Sequence, residues 1–356
     1  VFIVGLGAST AIGRNAWASA AAVRAGVAGF RQHPYLVDTA GEPMRAAIAP
    51  WIDIGVRGCE RFAQLLLPAA DEALAALANG GGRRIDASRW VLALALPGPR
   101  PGVPDTLANE LTQRLAAEHA GVFASSGRFA HGHAAGLMAL HAAFERLRNG
   151  TLDGCLLAAV DSWIGPEAME WLEAHDQLHG AGPSNNAWGF VPGEAAAAMV
   201  VVRESVARHC GLEPLGQIRS VGVANEPRRI KTQTVCIGEG LTQALRAALD
   251  ALPQGVRVSD MYCDMNGEPY RADEFGFAAL RTKEHFEALS EFVAPADCWG
   301  DVGAAGSLLQ SSLACIAARK RYARGHTALV WASAETGERA AAVISAPARL
   351  NHTMAA

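Results

Sequence analysis

Three groups of side chains in this 356-residue chain have the types and spacing for chemistry: its cysteines, its histidines near carboxylates, and one polar run at 263–271. The seven cysteines, Cys59, Cys155, Cys210, Cys236, Cys263, Cys298 and Cys315, are odd in number and show no CxxC spacing. That pattern argues against a disulfide framework and a zinc site, and it suits a reducing, cytoplasmic setting. A cysteine nucleophile needs its thiolate stabilised, as a helix start can do. Cys155 falls in an apolar strand-like run and Cys315 in an apolar helix-like one, so both read as core packing. His175-Asp176-Gln177-Leu178-His179 has the i, i+4 spacing of a metal-binding HExxH helix, with aspartate where that motif has glutamate. Gly180-Ala181-Gly182-Pro183 ends any helix at once, and a solvated helix end is the plainer reading. Gly5-x-Gly7 lacks a third glycine at position 10 and an acidic residue about twenty positions on, which rejects a dinucleotide fingerprint. Neither a metal nor a cofactor is expected. The run Cys263-Asp264-Met265-Asn266-Gly267-Glu268-Pro269-Tyr270-Arg271 is unusually polar for the end of a core strand. Asn266, Glu268 and Tyr270 either line a ligand pocket or sit in a solvated loop.

The elements that must carry these groups alternate between apolar strand-like runs and Ala-rich helical stretches, the pattern of an α/β fold. Strands are expected at 1–5, 90–96, 154–160, 193–203, 258–264, 328–333 and 340–345. Helices are expected near 15–25, at 61–77 despite Pro68 and closed by Gly80-Gly81-Gly82, and at 134–147, 240–251 and 300–319. Half of the residues are hydrophobic and 19% are charged, an ordinary globular composition. A net charge of −4 gives no electrostatic footprint for nucleic acid. No apolar run approaches the roughly 20 residues of a membrane span; 195–202 ends between Glu194 and Arg203. The chain opens directly on Val1-Phe2-Ile3-Val4, so a signal peptide is expected to be absent, or trimmed with the initiator Met. Arg319-Lys320-Arg321 with Arg324, and Arg228-Arg229 with Lys231, are basic patches that suit either an acidic carrier protein or a helix C-terminus. Gly132-His133-Ala134-Ala135-Gly136 and Gly300 to Gly306 each begin a small-residue helix, an internal echo that suggests a duplicated unit.

Taken in order, these segments resemble the β-ketoacyl synthases, condensing enzymes of the thiolase superfamily. Val4-Gly5-Leu6-Gly7-Ala8-Ser9-Thr10-Ala11-Ile12-Gly13 is similar to their first strand and turn. Leu137-Met138-Ala139-Leu140-His141-Ala142-Ala143, running to Asn149-Gly150, resembles their nucleophile helix, and Leu156–Asp161 the strand after it. Gly189-Phe190-Val191-Pro192-Gly193-Glu194 is the most distinctive stretch, and Gly238-Glu239-Gly240, Asp273 and Gly303-Ala304-Ala305-Gly306 continue the match. The resemblance implies a five-layered α/β/α/β/α fold with pseudo-twofold related halves, residues 1–204 and 205–356. It also implies a dimer through the segment Phe123 to Phe129, either with a second copy or with a related synthase-fold subunit. An acyl carrier protein is a further implied partner.

The same resemblance places the family's chemistry on unfamiliar residues. Counting back from Gly150 puts the nucleophilic cysteine at His133. Anchoring on Asp273 puts the first catalytic histidine at Met265. The second falls on Asp301, or on Gly300 without a gap, and the lysine of that segment on Ala296. Cys263 and Cys298 lie near the two histidine loops and are pocket candidates, as is Thr336 in the loop Glu335-Thr336-Gly337-Glu338 where the family has Gly-Phe-Gly-Gly. His133 reads as a relic, as a general base paired with Asp301, or as a structural side chain. Asp301 has the alternative of a helix N-cap. A helix start repels a proton on imidazole, so a neutral His133 is expected. The leading expectation is a non-condensing accessory subunit, in a bacterial fatty-acid, polyketide or secretion-linked setting, working as chain-length-factor subunits do. The alternatives are acyl transfer or hydrolysis by His133 with Asp301, and an active synthase.

Overall fold

A computed structural model describes residues 1–78 and 86–347. The Gly80-Gly81-Gly82 cluster therefore lies outside the described residues. The first half contains β1 (Phe2–Thr10), α1 (Ala16–Arg24), β2 (Phe30–Val37), β3 (Pro43–Ala47), α2 (Gly58–Ala78), β4 (Trp90–Ala95), α3 (Leu107–Glu118), β5 (Ser125–Phe129), α4 (Ala135–Arg148), β6 (Gly154–Ser162), α5 (Pro166–Ala174) and β7 (Glu194–Val202). After α6 (Glu204–Cys210) come β8 (Gly216–Asn225), α7 (Glu239–Leu249), β9 (Asp260–Cys263), α8 (Pro269–Leu280), α9 (Ala296–Trp299), α10 (Gly306–Arg319), β10 (Thr327–Ser333) and β11 (Glu338–Ser345).

Strand order makes the duplication explicit. Outward from the centre, the first half runs β1-β7-β6-β4-β5 and the second runs β8-β11-β10-β9. The first two pairings of each series are antiparallel and the third is parallel. β5 lies parallel to β4, and its counterpart is a single bridge, Val293 beside Tyr262. The two series meet in one nine-stranded sheet where β1 pairs with β8 at Phe2–Gln217 and Ile3–Gly216.

The side chains sort into layers because strand residues alternate between faces. Ile3, Leu6 and Ala8 of β1 enter a core shared with α4 and α10, while Phe2 and Val4 pack toward α2. That shared core also takes Val330, Ala332, Ala340 and Ala342 from the second series. Leu329, Trp331, Ala341 and Val343 pack outward on Leu241 and Leu245 of α7 and Phe275 of α8. The result is an α/β/α/β/α sandwich with α4 and α10 as its middle layer. Strands covered on both faces read as unbroken apolar runs, and β7 (Glu194–Val202) is buried throughout.

Gly5 and Gly7 serve packing: a Cβ there would meet the Ala73 and Ala69 carbonyl oxygens of α2 at 2.1 and 1.9 Å. The metal-helix spacing at 175–179 is not realised as a helix. α5 ends at Ala174, and Asp176 takes a left-handed conformation with φ of 53°. No helix among the described residues is long and apolar enough to cross a membrane.

Candidate functional site

The middle-layer helices begin side by side, each after one 3-10 turn: Gly132–Ala134 before α4 and Gly303–Ala305 before α10. These turns bring together two groups 168 residues apart. His133 is 8% exposed and Asp301 4% exposed. His133 Nε2 lies 2.9 Å from both Asp301 carboxylate oxygens. Asp301 Oδ1 also accepts the Gly303 N–H at 2.8 Å, so the capping and pairing readings of this residue are both realised. Its backbone is pinned as well, its N–H donating to the Val191 carbonyl and its own carbonyl accepting from Gly193.

The polar run at the end of β9 wraps this pair and is not a solvated loop. Asn266 Nδ2 donates to Asp301 Oδ2 at 2.6 Å and to Glu268 Oε2 at 2.9 Å. The Tyr270 hydroxyl donates to Glu268 Oε2 at 2.6 Å, and Lys231 Nζ lies 2.9 Å from Glu268 Oε1. Lys231 also pairs with Glu335 at 2.5 Å, tying the loop after β8 to the loop before β11. Arg271, 3% exposed, donates to Asp264 Oδ2 and to the Ser333 carbonyl. Its Nη2 comes within 3.4 Å of His133 Nε2. That nitrogen directs its proton to Asp301, so the approach is a close contact of two donors.

The electrostatics correct the expectation of a neutral His133. Burial pushes the ring's pKa down and Arg271 adds to that, yet the Asp301 charge and hydrogen bond outweigh both and raise it above the ordinary value. Burial likewise pushes Asp301 up, but His133, Arg271 and Asn266 hold it far below the usual carboxylate range. Below that raised pKa the two form an imidazolium–carboxylate pair, and the helix-start repulsion is the smaller effect. Glu268 is also held below its ordinary value: burial opposes this, and Arg271 and Lys231 prevail.

Other expected residues lie elsewhere. Met265 turns outward and packs against the α7–α8 core, while the next residue, Asn266, reaches Asp301. Cys263 is buried in that outer core with its thiol on the Val293 carbonyl, and burial raises its pKa. Cys298 is buried in α9, and its carbonyl accepts from Gly29. Thr336 is exposed, and its hydroxyl donates to Glu338, whose other oxygen meets His131 Nδ1 at 3.0 Å. Cys155 and Cys315 lie in the shared core with thiols raised to about 12.

Sequence reasoning named Arg271 and Lys231 only as members of a polar run and a basic patch. The signal available was a cation beside several carboxylates at the end of an apolar strand. Of the basic patches, Arg319 pairs with Glu213 and Arg324 with Glu291, so much of that charge is locally spent. Glu226, Cys236 and Glu274 gather within metal-ligand distances. Glu274 is already paired with buried Arg339, however, and Glu226 accepts the Gly240 N–H at the start of α7.

Residues 120–207 match the family model of the β-ketoacyl synthase N-terminal domain. No curated protein matches the chain. Among solved structures, a type II polyketide ketosynthase in complex with its acyl-carrier protein superposes with a TM-score of 0.76 and 16% identity, covering 98% of this chain and 99% of that one. The ketosynthase from module 6 of the bacillaene synthase of Bacillus subtilis 168 gives 0.77 and 15%, covering 98% and 72%. The ishigamide ketosynthase/chain length factor gives 0.75 and 18%, covering 98% and 99%. With the paired sheet orders and helix starts, these matches show that the chain has the thiolase-like fold of the ketosynthases.

Proposed function

We propose that this chain is a non-condensing, ketosynthase-like subunit that works by pairing with another synthase-fold chain. The observation that carries this reading is the buried His133–Asp301 ion pair at the start of α4. By the resemblance, that is the place of the nucleophilic cysteine. Condensation needs a covalent acyl carrier and donors that stabilise the enolate formed on decarboxylation. His133 offers no thiol, and its Nε2 is committed to Asp301. Asn266, one residue beyond Met265, takes the place of the family's first histidine in this reading. Its amide protons go to Asp301 and Glu268, and its oxygen accepts the Glu268 N–H. Asp301, in the second histidine's place, carries a negative charge that repels an enolate.

The dimer edge is β5, at the end of its sheet and bonded to β4 on one side. An open edge of this kind is a ready template for another strand. The ketosynthase/chain length factor likeness favours a related subunit as the mate, with an acyl carrier protein as a further partner.

The test is a decarboxylation and elongation assay with acyl and malonyl carrier-protein substrates, run on wild type and His133→Cys, alone and with a co-expressed ketosynthase from the same source. The expected result is no turnover by either form alone and co-purification with the active subunit. Wild-type elongation overturns the reading, and so does near-normal elongation by His133→Cys alone. Hydrolysis or acyl transfer that is lost in both His133→Ala and Asp301→Asn would replace it with an enzyme of altered chemistry.

A further inference from the structure

A cavity of about 310 Å³ lies in the first half, between β2, the start of α2 and the start of α5, and is not lined by His133 or Asp301. Its volume is at the small end of the range for small-molecule sites. The wall is apolar at Leu36, Ile54, Val56 and Ile164, and cationic or polar at His33, Arg57 and Arg61.

His33 is 7% exposed. Its Nδ1 accepts the backbone N–H groups of Tyr35 and Leu36, at 3.2 and 3.0 Å. An accepting Nδ1 fixes the ring proton on Nε2, and that N–H has no protein partner among the described residues. His33 lines the cavity, so this N–H is a donor left free for a ligand there. Arg61 is fully occupied, with Glu194 on two of its nitrogens and the Asp53 and Val56 carbonyls on the third. Arg57 is exposed and makes no ion pair among the described residues. Glu167, also exposed, is the acidic residue of the lining. The α2 start and the α5 start, which has no side-chain cap, both border the hollow, and helix starts favour anions.

We propose that this cavity binds a small organic carboxylate. Its oxyanion meets His33 Nε2–H and Arg57, and its apolar body rests on Leu36, Ile54, Val56 and Ile164. Burial, then Arg61 and Arg57, hold His33 below its ordinary pKa, which keeps the ring a neutral donor until an anion arrives.

The test uses the full chain, with hexanoate, hexanol and inorganic phosphate as probes, by calorimetry and by NMR of the His33 ring. Hexanoate is expected to bind at least about tenfold more tightly than hexanol or phosphate, and to raise the His33 pKa. Loss of one charge-assisted hydrogen bond weakens binding by about tenfold or more. Arg57→Gln, at an exposed position, and His33→Asn, which keeps an acceptor for the Tyr35 and Leu36 N–H groups, should each show that loss. Equal binding of hexanol, tighter binding of phosphate, unchanged affinity in Arg57→Gln, or no hexanoate binding at all would overturn the proposal.

Discussion

The start of α4 and the start of α10 have nearly the same backbone. Gly132 and Gly303 both adopt positive φ, 51° and 46°. The residues before them, His131 and Val302, have φ, ψ of −120°, 29° and −112°, 20°. Their surroundings differ. At α10, Gly303 N–H goes to Asp301 Oδ1 and Ala304 N–H to Asp161 Oδ2 at 2.9 Å, with Asp161 held by Arg100 at 2.6 Å. Carboxylates at a helix start satisfy free N–H groups and complement its partial positive charge. At α4, the position equivalent to Ala304 is His133, whose raised pKa favours a cation where the helix start disfavours one. Asp301 resolves the conflict because it belongs to both elbows: it caps one and neutralises the other. Asp301 thus bonds both elbows at once, His133 Nε2 of one and the Gly303 N–H of the other.

The largest effect should follow from removing that carboxylate. Asp301→Ala leaves His133 buried without its partner and removes the acceptor of the Asn266 amide and the Gly303 N–H. Breaking a buried pair from one side costs about 3–5 kcal/mol, read as a fall in the urea midpoint at unchanged slope. A loss below about 1 kcal/mol would mean that the elbows hold without the shared group. The next effect separates the two glycines. A Cβ on Gly303 would stand 2.0 Å from Asp161 Oδ2, whereas one on Gly132 meets nothing within 4 Å. Gly132→Ala carries only the left-handed backbone strain, about 1–2 kcal/mol. Gly303→Ala adds the displaced Asp161 cap, about 1 kcal/mol more. Equal losses for the two variants would show that Asp161 moves aside freely.

The layered fold was legible because most of its strands are buried on both faces and its middle helices are rich in small and apolar residues. What escaped was less patterned. β2 (Phe30–Val37) is mostly exposed or half-buried, so it shows no two-residue period. α8 (Pro269–Leu280) begins inside the polar run, where its first turn reads as loop. In the site, the meeting of His133 with Asp301 followed from the resemblance, while the sense of His133's charge did not. A local rule about helix starts was outweighed by a residue distant in sequence, which composition and spacing do not reveal. Counting from Asp273 reaches Met265, which packs outward, whereas its neighbour Asn266 reaches Asp301. One residue of register at the end of a strand exchanges the side chain facing the core for the one facing the site.

The smallest expected effect concerns pH, and the two buried histidines give it opposite signs. The raised pKa of His133 means that the folded state binds its proton more tightly than the unfolded chain does. Its contribution is complete below about pH 6.5, the unfolded value, and is lost as pH rises through the higher folded value. Asp301, held low in the fold, keeps its contribution above about pH 3.9 and loses it only in stronger acid, so it adds no slope near neutrality. His33 is depressed in the fold, so the unfolded chain gains a proton first and stability falls as pH drops below about 6.5. A tenfold difference in proton affinity between the folded and unfolded chain corresponds to about 1.4 kcal/mol of stability. His133→Gln keeps a donor toward Asp301 but removes the titration. Urea denaturation of wild type and His133→Gln between pH 5 and pH 9 should give a difference curve that is flat on the acid side and declines on the alkaline side. A difference curve that instead rises with pH would mean that His133 is neutral in the fold and the buried charge at the first elbow is absent. A flat one would mean that Asp301 only balances burial and the Arg271 charge.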